Sequence, residues 1–129
     1  MNEDRSFLMV FLGGGLGSLS RFFLSSVAHW PVQAGCFPLK TFFVNMAGCL
    51  LIGFFSGLFV KSGGNVDLKN FLVAGFCGGF TTFSTFSREA VDLFLSGSAL
   101  MAVSYSLLSL IMGAVLVAAG YAIAYKVAC

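Results

Sequence analysis

Long stretches without a charged side chain dominate this sequence: Ser6–Ser20, Phe22–Leu39, Thr41–Val60, Asn70–Ser87 and Leu93–Tyr125. About 20 mostly apolar residues suffice for a helix to cross the hydrocarbon of a bilayer. Only Arg21 separates the first two stretches, and the second runs out into a loop marked by His29-Trp30-Pro31 and Pro38. The remaining breaks are Lys61-Ser62-Gly63-Gly64-Asn65 and the Ser96-Gly97-Ser98 turn. The spacing predicts helices over residues 7–27, 40–60, 69–95 and 99–125, so the chain (1–129) reads as a single four-helix transmembrane domain. Strands of about ten residues with alternating hydrophobicity are missing, which argues against a β-barrel.

Charge supports the same solvent. Charged residues are 9% of the chain, against about a quarter in soluble domains. Seven Lys/Arg and five Asp/Glu cannot solvate a sphere of this size, which excludes a soluble globular domain, a nucleic-acid binder and a disordered tail. Ser26-Val27-Ala28 has the small residues of a leader cleavage site, but Glu3 and Asp4 beside Arg5, and Arg21 ahead of the site, do not suit one. The first span is therefore expected to stay. Cys36, Cys49, Cys77 and Cys129 have no metal-ligand spacing and read as small apolar fillers.

Orientation is poorly specified. With four spans, Arg5, Lys61, Lys69 and Lys126 fall on one side, and Arg21, Lys40 and Arg88 on the other. Cytoplasmic loops normally carry a clear excess of positive charge. Two readings stay open: a weak bias resolved by other signals, or insertion both ways and pairing with an inverted copy. Small residues one turn apart (Gly13 and Gly17, Gly53 and Gly57, Gly75 and Gly79, Ser109 and Gly113) allow helices to approach closely in lipid.

The third span departs from simple packing. Gly78-Gly79 is followed by Thr81, Thr82, Ser84, Thr85 and Ser87, poor material for an uninterrupted helix facing lipid. A break near residues 75–81 is expected, with the freed backbone buried in protein. Carbonyls ending the first half would suit a cation, and the N–H end of the second half an anion. At 100° per residue, Thr82, Thr85, Phe86 and Glu89 share one face, with Phe83 at its edge. The two rings either pack or turn their positive edges toward an anion. Arg21 is an intramembrane charge, paired or functional. Asn45 offers two N–H donors to an anion or to a neighbouring helix, while Tyr105 and Ser109 add hydroxyls from one face of the fourth helix. Glu89 has three options: backbone donors, pairing with Arg21 or Arg88, or protonation.

Three segments carry a resemblance: Gly13 to Arg21, Thr41 to Gly48, and Gly75 to Ser87 with Glu89. In these, and along essentially its whole length, the chain resembles the Fluc/CrcB family of fluoride channels. The resemblance implies an all-α membrane protein of four transmembrane helices with a break in the third. It implies an antiparallel, dual-topology homodimer with two pores in the cell membrane, passing fluoride passively outward. By the same resemblance Phe83 and Phe86 line the path, Asn45 donates to it, and Ser84, Thr85, Tyr105 and Ser109 form its hydroxyl track. Glu89 adjoins that track and Arg21 stands at the aqueous vestibule. The carbonyls of Gly78 and Thr81 from both copies would hold a structural sodium ion. Lys40 departs from the family, which commonly has Gly before the residue matching Thr41. A rival of similar size and topology is a proton-coupled exporter of the small multidrug-resistance type, which needs a carboxylate embedded in the first span. A second rival is a non-transporting assembly subunit, for which a hydroxyl-rich break has no purpose.

Overall fold

The computed structural model describes residues 3–27 and 36–128, and every element among them is helical. Ala28, the His29-Trp30-Pro31 segment, Gly35 and Cys129 lie outside the described residues. Helix α1 covers Glu3–Val27 and α2 covers Leu39–Ser62. The third helix comes in two pieces. The first, α3, comprises residues 66–80: one α-turn at Val66–Lys69, wider π-type turns over Asn70–Cys77, and a last α-turn at Gly78–Phe80. The second, α4, is Phe83–Leu95, and α5 is Ala99–Val127.

Local chemistry sets the ends. Gly63 closes α2 in the left-handed conformation (φ 74°), its N–H returning to the Phe59 carbonyl at 2.9 Å. Glycine takes that conformation without a Cβ penalty. Asn65 then opens α3, its side-chain oxygen accepting from the amides of Asp67 at 2.7 Å and Leu68 at 3.3 Å. The start of α3 is tied to α1 by an Arg5–Asp67 ion pair and by a hydrogen bond from the Asn70 amide to the Ser6 hydroxyl at 3.1 Å.

Packing is organised in two helix pairs, α1 with α3 and α2 with α5. Glycines make both contacts backbone to backbone. A Cβ on Gly17 would fall on the Phe76 carbonyl oxygen, and one on Gly53 on the Val117 carbonyl oxygen. Beyond the interruption, α4 leaves α1 and lies against α5 and α2. In lipid no hydrophobic force holds helices together, so such close approach is what van der Waals attraction requires.

The outer surface is apolar. Phe7, Phe11, Leu100 and Leu110 are each more than two-thirds exposed, a surface that water would not tolerate. Three helices (Glu3–Val27, Leu39–Ser62 and Ala99–Val127) are each long and apolar enough to cross a membrane. The protein is a multi-pass membrane protein with four helices among the described residues, the third divided.

Gly53→Ala tests the packing. The added methyl has no room against Val117, and overpacking of this kind costs about 1–3 kcal/mol. A lowered melting temperature in detergent is expected, with Gly64→Ala, placed in a loop beside a movable Phe59 ring, shifting it less.

Candidate functional site

The interruption lies at Thr81 (φ −82°, ψ 159°) and Thr82 (φ −144°, ψ 119°), both extended. The glycine pair expected to unwind does not: Gly78 keeps helical dihedrals (φ −62°, ψ −40°), and Gly79 continues the turn. Gly79 instead makes room for α1, since a Cβ there would meet the Gly14 carbonyl oxygen. The break follows from Thr82, which caps α4 by accepting the Thr85 N–H at 3.2 Å on its hydroxyl.

Helix ends strand backbone groups, and here neighbouring helices take up several of them. Asn45 of α2 clamps the peptide at Thr82 from both sides. Its side-chain oxygen accepts the Thr82 N–H at 2.9 Å, and its amide donates to the Thr82 carbonyl at 3.1 Å. From α1, the Ser18 hydroxyl and Arg21 Nε–H both donate to the Gly79 carbonyl at 3.4 Å. The Cys77 carbonyl receives both the Thr81 N–H at 3.1 Å and the Thr81 hydroxyl at 2.9 Å. Helical register would assign the Thr82 N–H to the Gly78 carbonyl and the Thr85 N–H to that of Thr81. Both donors are engaged elsewhere. Gly48, one turn beyond Asn45, leaves the space that the Thr81 methyl occupies.

A second cluster lies where α4 meets α5. Tyr105 is fully buried among Phe37, Phe42 and Phe86, with Leu93 and Ala102. Its ring meets Phe37 edge-on at 5.2 Å and Phe86 at 5.0 Å. Among the described residues the Tyr105 hydroxyl has no hydrogen-bond partner, which is rare for a buried donor. Close to this cluster, the Thr41 hydroxyl donates to the Glu89 carboxylate. Thr41, Asn45 and Gly48 therefore form one stripe along α2 serving both groups of residues.

The expected path residues divide accordingly. Asn45 sits at the break, Arg21 reaches it from α1, and Phe86, Glu89 and Tyr105 converge in the second cluster. Phe83 touches Phe86 at 6.1 Å between ring centres but is 80% exposed, and Ser84 is exposed as well. Thr85 donates its amide to the Thr82 cap, and Ser109 is half-buried one turn beyond Tyr105. Thr41 and Ser18 escaped assignment from the sequence. The Thr41, Asn45, Gly48 spacing of i, i+4, i+7 is the signal that would have found the first. Among the described residues no three His, Cys, Asp or Glu gather as a metal site. The Gly78 and Thr81 carbonyls are the two whose regular helical donors, the Thr82 and Thr85 N–H groups, bond elsewhere.

Comparison with known proteins places the chain in a family. A family model described as CrcB-like protein, Camphor Resistance (CrcB), matches residues 8–121. A protein of Flavobacterium psychrophilum named fluoride-specific ion channel FluC is 44% identical over 110 residues, covering 84% of this chain and 88% of its own. One of the same name from Azobacteroides pseudotrichonymphae is 40% identical over 118 residues, covering 91% and 94%. Another, from Desulfotalea psychrophila, is 38% identical over 130 residues, covering 98% and 97%. With the match reaching from α1 through the divided third helix into α5, the chain belongs to the CrcB-like protein family.

Proposed function

We propose that this chain forms a fluoride-selective channel, passing fluoride passively out of the cytoplasm across the cell membrane. The observation that carries it is the break at Thr81–Thr82, flanked by hydrogen donors and aromatic rings, in a chain whose relatives bear the name of fluoride-specific channels.

Hydrogen fluoride crosses membranes as a neutral weak acid and dissociates in the less acidic interior, where the anion is trapped. Fluoride is small and tightly hydrated, so a pore has to replace its water with donors that do not hold it too firmly. Arg21 would collect the anion at the vestibule. Asn45 commits one N–H to Thr82 and keeps a second to offer. Phe83 and Phe86 would present ring edges, and Ser84, Thr85, Tyr105 and Ser109 successive hydroxyls. The burial of Tyr105 against Phe86 supports its place in that track. Glu89, held by Thr41, would orient the donors beside it.

The unit proposed is an antiparallel homodimer. Gly14, Gly15, Ser18 and Gly79 line a shallow apolar groove on α1 with Val10 and Phe11. The near balance of charge between the two sides suits insertion in both directions. A structural sodium ion would take the Gly78 and Thr81 carbonyls, whose helical donors are diverted; unwound backbone of this kind serves sodium in transporters. Bound there, it would add a fixed positive potential and a tie between copies. The exporter reading lacks its carboxylate, because the acids of α1 are Glu3 and Asp4 in its first turn.

Purified protein in liposomes is expected to release fluoride, read with a fluoride electrode, without a proton gradient to drive it. Absence of efflux, or efflux only when protons flow, would reject the channel. Phe83→Ile and Phe86→Ile should each slow the flux about tenfold or more, equivalent to about 1.4 kcal/mol at the barrier, with the dimer intact; unchanged flux in both removes the rings from the path. Because a Cβ on Gly15 meets nothing within 4 Å, Gly15→Phe should leave the chain folded yet shift it toward monomer by light scattering. A dimer as stable as the parent would exclude this groove from the interface.

A further inference from the structure

Asn45 has been given the role of a donor to the anion, but both ends of its side chain are bonded to the backbone of one residue, Thr82. The Thr82 N–H that it captures is the donor that a continuous helix would deliver to the Gly78 carbonyl. Its own amide meanwhile holds the Thr82 carbonyl. Neighbouring positions are treated differently: the Gly79 carbonyl is covered from α1 by Ser18 and Arg21, and that of Cys77 by Thr81. Gly48 completes the arrangement, since a methyl at that position would occupy the space of the Thr81 side chain. The turn of α2 from Asn45 to Gly48 thus acts as a mould for the interruption.

We propose that Asn45 is a positioning residue for the cation site: by diverting the Thr82 amide it holds the third helix broken and leaves the Gly78 carbonyl uncovered for sodium. This rests on the sodium site proposed above. It goes beyond that site in naming the side chain that creates a ligand without touching the ion. An acceptor at position 45 is what matters, so the side chains that suffice differ from those that would serve an anion. Aspartate keeps the acceptor for Thr82 N–H and gives up the amide donor, whereas leucine keeps neither.

Two measurements on the full-length protein in detergent test this. The first is the melting temperature in sodium chloride against that in N-methylglucamine chloride. The parent should melt higher in sodium, Asn45→Asp should retain most of that difference, and Asn45→Leu should lose it. Ser109→Ala, distant from the break in sequence and helix, should keep it. The second is hydrogen exchange at the Thr82 amide, expected to quicken about tenfold or more in Asn45→Leu as the buried bond is lost. A full sodium difference in Asn45→Leu, its loss in Asn45→Asp, or unchanged Thr82 exchange in Asn45→Leu would overturn the proposal. A parent without any sodium difference rejects the sodium site and the ligand role with it. Thr82 exchange would then still decide whether Asn45 holds the break, and fluoride efflux would decide separately whether the protein is a channel.

Discussion

A peptide group that leaves its helical partner inside a bilayer finds no water to replace it, and each unsatisfied group there costs several kcal/mol. Thr81 and Thr82 impose that cost within the divided third helix of this membrane protein. The clamp from Asn45 and the donors from Ser18 and Arg21 offset it, because they return hydrogen-bond partners to Thr82 and Gly79. Much of the remaining structure serves to bring those side chains within reach. Neighbouring helices must come close enough for side chains no longer than asparagine and serine to touch another helix's backbone.

Glycine supplies that proximity. On the α1–α3 contact, Gly13, Gly17 and Gly79 each stand where a methyl would collide with the opposite backbone, and Gly75 is tightly packed beside Gly13. On α2 and α5, Gly53 and Gly120 do the same. The same small residues that lower the intrinsic preference for helix allow the contacts that stabilise it. Large apolar side chains are turned to the outside instead, where lipid accepts them. The pattern is that of a membrane protein: a small-residue interior and a bulky exterior.

The helical architecture was legible because it depends on length and hydropathy, which are properties of each segment by itself. The placement of the break was less so. Gly78 and Gly79 look like the weak point in isolation, yet both remain helical, and Gly79 is packed against Gly14 of α1. The Thr82 cap at the break is local, but its partner Asn45 lies 37 residues away, and no local pattern expresses such a pair. That Asn45 needs a partner could be read directly; which partner could not. The link from Thr41 to Glu89 was hidden for the same reason. By contrast the shared face of Phe86 and Glu89 follows from helical periodicity, and both residues do reach the region around Tyr105.

The third helix changes companions at Thr81: its first part lies along α1 and its second along α5 and α2. A straight rod could not follow both directions. Straightening the segment would tear one end from its neighbour, forfeiting an entire interface to regain a few backbone bonds. The bend is consequently tied to the packing on both sides of Thr81 as well as to the Asn45 clamp.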